Sequence, residues 1–501
     1  MKALANKNIL VLGLGSSGLA LARWCARGGA QVTVADTRSA PPQLQALQTS
    51  VPGATFVHAE MSEFLLAGIP FDQVLKSPGL SPASVVGVVA AAEARGIACG
   101  NELSLFAQAL AELKADQGYS PQVIAITGTN GKTTVTSLTG QLAQRAGKRV
   151  AIAGNIGPTL LDTLSEKLDA LMLGEALPEV WVLELSSFQL DGVKGFEPTV
   201  ATVLNISQDH LDWHETFAAY RTAKANVYGG TGVMLLNRND ALLMGALPPL
   251  VKGKQLRGNF TFGSDAPSRP GDYGIETVNG MGWLVRALEA DETFKRRKDD
   301  DVVLHIQRLM PLDALRIRGR HNATNALAAL GLAVAAGCNL AAMLHGLRDY
   351  RGEPHRVESV GVIAEVEYFD DSKGTNVGAT VAALTGLGAE RKLVLILGGE
   401  GKGQDFLPLV EPVARYARAV VLIGRDAPLI RSALQGVSVA LFDATSMPEA
   451  VRLAQQQASA GDAVLMSPAC ASFDMFDNYE HRAHVFCEAV HALAYEAGGV
   501  L

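Results

Sequence analysis

The chain has few cysteines: Cys25, Cys99, Cys338, Cys470 and Cys487 are scattered among 501 residues. They are odd in number and none stands in a C-x-x-C pair. That spacing argues against a disulfide framework or a structural zinc site and fits a reducing compartment. Basic residues are short as well: 43 Lys and Arg against 50 Asp and Glu leave a net charge of −7. With no basic excess to neutralise a phosphate backbone, nucleic acid is disfavoured as a main partner. The chain also lacks the composition of a disordered one, since 48% of it is hydrophobic and 19% charged. Apolar runs of membrane length are missing too. Ile9–Ala22 follows Lys2 and Lys7 as a signal segment would, but Gly13, Gly15 and Gly18 at fixed spacing make it a buried strand and turn. Ala326–Leu344 is interrupted by Gly337-Cys338-Asn339, a helix stop, and reads as two short packed helices. The expectation is a soluble, cytoplasmic protein with no membrane partner.

What is present is alternation of strand and helix over about three domains' worth of chain. Asn8–Gly13 is a short apolar run, Leu19–Arg27 has helical spacing, and Gln31–Ala35 is a second apolar run. That is a βαβ unit and implies a parallel sheet. The polar segment Lys114–Pro121 breaks the pattern, and Val123–Thr127 opens a second unit with a glycine loop and a helix over Thr133–Ala146. Val180–Leu185 and Thr199–Asn205 read as further buried strands. Ser264–Met310 reads as an irregular, exposed excursion, and its charge run Lys295–Asp301 as a solvated face. Strands at Lys392–Leu397, Ala419–Ile423 and Ala463–Met466, with helices between, form a third alternation after Gly352. The fold class is α/β, with domains over residues 1–117, 118–352 and 353–501.

Two glycine loops carry the chemistry. Gly13-Leu14-Gly15-Ser16-Ser17-Gly18 fits G-x-G-x-x-G between a strand and a helix, where free N–H groups and the helix dipole favour a pyrophosphate. Asp36, ending the next strand, stands where an acid would bond a ribose; NAD binding and ligand-free strand–helix packing both remain open. Gly128-Thr129-Asn130-Gly131-Lys132-Thr133-Thr134 follows a strand and opens a helix. Its backbone N–H groups suit phosphates, Lys132 the terminal phosphates and the Thr133 hydroxyl Mg²⁺, although Ile126 occupies the first glycine position of the strict P-loop. Glu184 closes the apolar run Val180–Leu183 and is the candidate carboxylate for the metal. His210, within Asn205–His214, is either a metal ligand or proton shuttle, or a satisfied structural histidine.

Thr127–Thr134, Asp209-His210-Leu211-Asp212 and Gly319–Asn325 together resemble the Mur ligases of peptidoglycan synthesis and the related folylpolyglutamate synthases. Gly13–Gly18, Ser77-Pro78-Gly79, Gly154–Gly157, Glu184–Leu190, Asp370–Asn376, Gly398–Lys402 and Ser467–Asp474 are similar to the D-glutamate-adding branch of that family. The match runs in order over nearly the whole chain, and the Asp-Asn-Pro-Arg motif of the third-step ligases is absent. The resemblance implies an N-terminal Rossmann-like domain for the UDP precursor, a central P-loop domain for ATP, and a C-terminal Rossmann-like domain for the amino acid. It places Ser16 and Ser17 at the diphosphate, Asp36, Thr37 and Arg38 near uracil, and Ser77, Gly79 and Asn155 at the muramoyl-alanine portion. It keeps Gly128, Thr129, Asn130, Gly131, Lys132, Thr133 and Thr134 at ATP, and adds Asn322 and Asn325 for adenine, His355 and Arg356 for the nucleotide and Asp371 for ribose. Two Mg²⁺ ions are implied, one on Glu184 with Thr133 and one on His210 with a carbamylated Lys224. Lys373, Thr375, Lys402, Ser472 and Tyr479 would surround D-glutamate or the phosphate chain. Trp213 stands where Arg is usual and Ala483 where Gly is usual.

The implied substrates are UDP-N-acetylmuramoyl-L-alanine, D-glutamate and ATP, acted on by a monomer. A carboxylate is a poor electrophile at neutral pH, so ATP would convert it to an acyl phosphate that the amine then attacks. Positioning and charge neutralisation would carry most of the catalysis, with Lys132, Glu184, His210, Lys224 and Lys373 as the catalytic set. Another Mur-type or folylpolyglutamate-type ligase is the alternative within the family. A nucleotide-binding regulator or a NAD dehydrogenase is the alternative outside it.

Overall fold

The computed structural model describes residues 2–252, 254–290, 303–389 and 391–498. The charge run Lys295–Asp301 lies outside the described residues. Four sheets organise the described residues, and the apolar runs become their strands. The first sheet holds β1 (Asn8–Leu12), β2 (Gln31–Asp36), β3 (Thr55–His58), β4 (Gln73–Lys76) and β5 (Ala98–Asn101), all parallel in the order β3-β2-β1-β4-β5. Alternation in β1 sorts its side chains between two faces. Ile9 and Val11 join the core under the helix Ser16–Arg27, while Leu10 and Leu12 pack with Val85, Val88 and Ala92 of the helix Pro82–Ala94. Burial on both faces is why this strand reads as a continuous apolar run.

The second sheet holds β6 (Gln122–Thr127), β7 (Val150–Gly154), β8 (Val180–Glu184), β9 (Val200–Val203), β10 (Val233–Asn237) and β11 (Asn259–Phe262), in the parallel order β11-β10-β9-β6-β8-β7. Strand β6 therefore has β8 on one side and β9 on the other, and the loops after these three strands open at the same edge. That is the carboxyl-end crevice where α/β sheets bind ligands. The segment Lys114–Pro121, expected to break the pattern, includes the last turn of the helix Glu102–Gln117, which Gly118 ends with φ 70°.

Ser264–Met310 is not the irregular excursion expected from its charge. Its described part holds β12 (Tyr273–Val278), β13 (Met281–Glu289) and β14 (Leu304–Pro311), an antiparallel sheet in that order. The signal was the dipeptide Asn279-Gly280, whose φ angles of 52° and 80° make the tight turn between the first two strands. The last sheet holds β15 (Glu358–Ile363), β16 (Val366–Asp370), β17 (Leu393–Gly398), β18 (Ala417–Ile423), β19 (Ala440–Asp443) and β20 (Ala463–Met466), ordered β15-β16-β20-β17-β18-β19. Among its described strands, β15 alone pairs antiparallel.

Two compact units result, Met1–Phe262 with Ala328–Gly346, and Gly263–Leu327 with Leu347–Leu501. The Ala-rich stretch forms the helices Arg320–Ala335 and Leu340–Asp349, separated at Gly337 as its residues predict. Among the described residues, no helix is long and apolar enough to cross a membrane.

Candidate active site

In the first unit the glycine loop after β6 is held by its own neighbours. Gly128 has φ 155°, and a Cβ there would lie 3.1 Å from Leu204 Cβ, so only glycine lets the loop turn this close to the strand-end of β9. Asn205, just past β9, accepts the Asn130 N–H on Oδ1 at 2.8 Å and donates Nδ2 to the Asn130 carbonyl at 3.0 Å. Its own carbonyl accepts the Thr129 N–H at 3.0 Å. Those two loop N–H groups, expected to face phosphate, are thus committed to Asn205. The Thr129 hydroxyl meets Tyr220 Oη at 3.0 Å and Ser207 at its N–H and carbonyl.

Two lysines converge on one carbonyl. Lys132 Nζ donates to Gly128 O and Thr129 O, both at 2.9 Å, and Lys224 Nζ donates to Gly128 O at 2.8 Å and Thr127 Oγ1 at 3.3 Å. Lys224 is 2% exposed, and burial, together with the Lys132 charge, holds its pKa well below the usual lysine range. The Asp209 and Glu184 carboxylates act in the opposite direction.

Glu184 is buried at the end of β8. Asn155 donates Nδ2 to its Oε1 at 2.8 Å, and Asn155 N–H bonds to the Glu184 carbonyl at 2.8 Å. Oε2 is buried with no hydrogen-bond partner among the described residues. A buried carboxylate oxygen left this way is costly, and a hard cation would satisfy it.

His210 adopts φ 53° at the start of a single helical turn, with its N–H on Asp209 Oδ1 at 3.0 Å and its ring 4.8 Å from that of Phe188. Burial lowers its pKa below the usual histidine value, Asp209 counteracts, and Lys132 and Lys224 push it further down. A neutral imidazole is the metal-binding form. Trp213 packs 4.6 Å from Phe188 and 4.4 Å from His214, with Lys76 Nζ 4.8 Å over its ring.

The first glycine loop lies in the same unit. A Cβ on Gly18 would sit 2.0 Å from Gly13 O, so this glycine serves helix–strand packing, whereas a Cβ on Gly15 would meet nothing within 4 Å. Asp36 accepts the Leu14 N–H at 2.7 Å and both arms of Arg38 at 2.8 Å. The Arg38 hydrogen bond chiefly brings its pKa down to about 2, against its burial. Asp36 is therefore an ionised bracket between the loop and Arg38. Thr37 contributes its carbonyl to His58 Nε2 at 3.1 Å, Ser77 is buried beneath Gly13, and Gly79 has open space around it. Ser16 is exposed and Ser17 half-buried.

The remaining expected residues belong to the second unit. Asn322 and Asn325 are buried at the start of the helix Arg320–Ala335; Asn325 Nδ2 donates to Asn322 Oδ1 at 3.1 Å, and Asn322 Nδ2 to Arg318 O at 2.8 Å. His355 Nδ1 lies 2.6 Å from Asp370 Oδ2, and its N–H bonds to Glu358 at 2.8 Å. Asp371 accepts the Ser467 hydroxyl at 2.6 Å and the Val357 N–H at 3.2 Å. Burial pushes its pKa up to about 7 against Ser467 and the Arg356 charge. Lys373 Nζ sits 3.3 Å from the Tyr479 ring centroid, and Thr375 N–H bonds to the Lys373 carbonyl at 2.9 Å. Lys402 is exposed, 5.6 Å over Phe473, and Ser472 is buried.

Arg482 is a residue that its sequence context does not mark as part of the site. It is fully buried and donates to Ser372 Oγ at 2.9 Å, Ser372 O at 2.8 Å and Cys470 O at 3.0 Å. It ties the loop carrying Lys373 to the loop carrying Ser472. Its signal was positional: it shares the buried stripe of Ala483, Phe486 and Val490 on one helix face.

Three family descriptions match in chain order: "Mur ligase MurD-like, N-terminal domain" over residues 7–100, "Mur ligase middle domain" over 126–333, and "Mur ligase, glutamate ligase domain" over 355–470. A protein of Albidiferax ferrireducens named UDP-N-acetylmuramoylalanine--D-glutamate ligase is 66% identical, covering 99% of this chain and 98% of its own. One of the same name from Ralstonia nicotianae is 55% identical, covering 99% of each. Among solved structures, MurF from Acinetobacter baumannii has a TM-score of 0.56 at 17% identity, covering 97% of this chain and 92% of its own. The UDP-N-acetylmuramate-alanine ligase MurC from Thermotoga maritima has a TM-score of 0.53 at 18% identity, covering 97% and 100%. These likenesses carry the α/β, three-domain architecture, and the full-length identity carries more: with its glycine loop, buried acid and paired lysines in place, the chain belongs to the Mur ligase family.

Proposed function

We propose that the chain is an ATP-dependent ligase that joins D-glutamate to UDP-N-acetylmuramoyl-L-alanine in peptidoglycan precursor synthesis, as a monomer in the cytoplasm. The functional division follows residues 1–117 for the UDP precursor, 118–352 for ATP and 353–501 for the amino acid. One observation carries the reading: Lys132 and Lys224 converge on the Gly128 carbonyl, and Glu184, which acts electrostatically on Lys224, keeps one oxygen buried and unpartnered. Such a set suits the phosphates of ATP and a hard cation.

The donors fit Mg²⁺ by their chemistry. Glu184 with the Thr133 hydroxyl would hold one ion, and neutral His210 with Lys224 as a carbamate a second. Bound there, Mg²⁺ would neutralise phosphate charge. Lys224 suits the modification because burial favours its neutral amine, the form that adds CO₂.

The chain's own groups do the rest. Ser16 and Ser17 hold the diphosphate, Asp36, Thr37 and Arg38 the uracil end, and Ser77, Gly79 and Asn155 the muramoyl-alanine end. Asn322 and Asn325 face adenine, His355 and Arg356 the nucleotide and Asp371 the ribose. The ATP loop, residues 128–134, orients the γ-phosphate toward the alanyl carboxylate, and Lys132 offsets charge on the phosphoryl group in flight. The acyl phosphate then meets the amine of D-glutamate, which Lys373, Thr375, Lys402, Ser472 and Tyr479 hold by its two carboxylates. A tetrahedral intermediate collapses with loss of phosphate.

Phosphate release from ATP in the presence of UDP-N-acetylmuramoyl-L-alanine, with and without D-glutamate, tests the reading. Release that depends on D-glutamate is expected. Equal rates with L-lysine or diaminopimelate in its place would reject the choice of amino acid.

A further inference from the structure

Glu102 has no part in the reaction above, yet it is a carboxyl of 1% exposure at the first position of the helix Glu102–Gln117. Its Oε1 accepts the Leu161 N–H at 3.1 Å, in the first turn of the helix Leu160–Met172. The hydroxyl of Ser17, in the first turn of the helix Ser16–Arg27, faces the same carboxyl. Three helices therefore start around one side chain, and a helix start carries a partial positive charge. Oε2 is nonetheless buried with no hydrogen-bond partner among the described residues. The charged group that acts on it is Asp162, on the helix Leu160–Met172, which itself pairs with Arg23 of the helix Ser16–Arg27 at 3.6 Å. Burial outweighs the Leu161 and Ser17 hydrogen bonds and pushes the carboxyl up to about 7.

We propose that Glu102 is a positioning residue for the precursor's diphosphate, and that it takes up a proton from solvent when the diphosphate binds. This rests on reading Gly13–Gly18 as the diphosphate loop. An ionised Glu102 draws the Ser17 O–H inward and competes with an arriving anion for the positive end of the helix Ser16–Arg27. A protonated Glu102 donates its own O–H to Ser17 Oγ, and the Ser17 O–H turns outward to a phosphate oxygen. One proton leaves the buffer and ends on the carboxyl; no other bond changes. The sugar-linked diphosphate is a diester with no ionisation near neutrality, so the ligand itself supplies no such proton.

Calorimetric titration of the full-length protein with UDP-N-acetylmuramoyl-L-alanine, in two buffers of different ionisation heat at about pH 7, reads the proton directly. The wild type is expected to take up about half a proton per site, and its affinity to weaken by up to about tenfold per pH unit above neutrality. Glu102→Gln keeps the shape and the acceptor for Leu161, and should abolish both effects. His58→Gln, which removes the imidazole at the Thr37 carbonyl, should leave both unchanged. Binding by the wild type without proton uptake overturns the inference, whether or not Glu102→Gln folds. So does uptake that persists in Glu102→Gln or disappears in His58→Gln. A wild type that does not bind the precursor removes the diphosphate-loop reading, and the inference with it.

Discussion

Replacing Asp371 by Asn perturbs the second unit at a group whose ionisation is opposed by burial. Asp371 is 6% exposed, and its pKa is pushed up to about 7 by that burial, against the Ser467 hydrogen bond and the Arg356 charge. In the unfolded chain the same carboxyl titrates near about 4. The folded protein therefore holds the proton more tightly, and stability falls as pH rises from about 4 to about 7. A rise of that size corresponds to roughly 4 kcal/mol, a ceiling reached above neutrality. Asn cannot ionise, and its Oδ1 can still accept the Val357 N–H that Asp371 receives at 3.2 Å. Asp371→Asn should thus melt close to the wild type at about pH 4 and several degrees higher at about pH 8. Thermal melting followed by circular dichroism at both pH values provides the measurement. The same substitution should raise the KM for ATP, because the proposed ribose contact loses its charge. A melting difference equal at the two pH values, or a wild type that is the more stable at about pH 8, would show that burial does not oppose ionisation of Asp371.

Lys132→Ala should abolish ATP-dependent ligation while leaving affinity for the UDP precursor nearly intact; equal loss of both would reject the separate loop assignments. Lys224→Ala should be largely inactive and partly restored by a small added carboxylate, and no rescue together with full wild-type activity in CO₂-free buffer would count against the carbamate. Asn205→Ala removes both bonds to Asn130, a loss of about 1–3 kcal/mol, and should raise the KM for ATP roughly 5- to 150-fold; steady-state kinetics with ATP varied decides. Lys402→Ala should raise the KM for D-glutamate at least about 30-fold, about 2 kcal/mol, with smaller changes for ATP and the precursor, and an unchanged D-glutamate KM would remove Lys402 from that site.

Several parts of the site are legible in the chain itself because their signals are short. The glycine loops at Gly13 and Gly128 lie between an apolar run and a helix start, and the geometry they need is written in residues a few positions apart. The acid closing Val180–Leu183 is legible for the same reason, since an ionisable residue ending a buried strand has few structural uses. The antiparallel sheet within Ser264–Met310 is hidden by charge: polar side chains on its strands mask the alternation, though Asn279-Gly280 marks the turn. Arg482 is hidden by its type, because a guanidinium is rarely placed in a core.

The strand–helix alternation, the positions of the two glycine loops and the residue types proposed to act on ATP are thus local properties of the chain. Partnership was decided elsewhere. Asn205 reaches Asn130 across 75 residues, Lys224 reaches Gly128 across 96, and Arg482 reaches Ser372 across 110. Glu102 shares its site with Leu161 only because the helices Ser16–Arg27, Glu102–Gln117 and Leu160–Met172 begin around it. Strand order sets these meetings: β9 lies beside β6 although β7 and β8 intervene in the chain. Propensity and periodicity act over a few residues and carry no information about which strand will lie next to which. Burial acts on the assembled sheet: with the Lys132 charge it holds the Lys224 pKa well below the usual lysine range, and it leaves Glu184 with an oxygen that has no hydrogen-bond partner among the described residues.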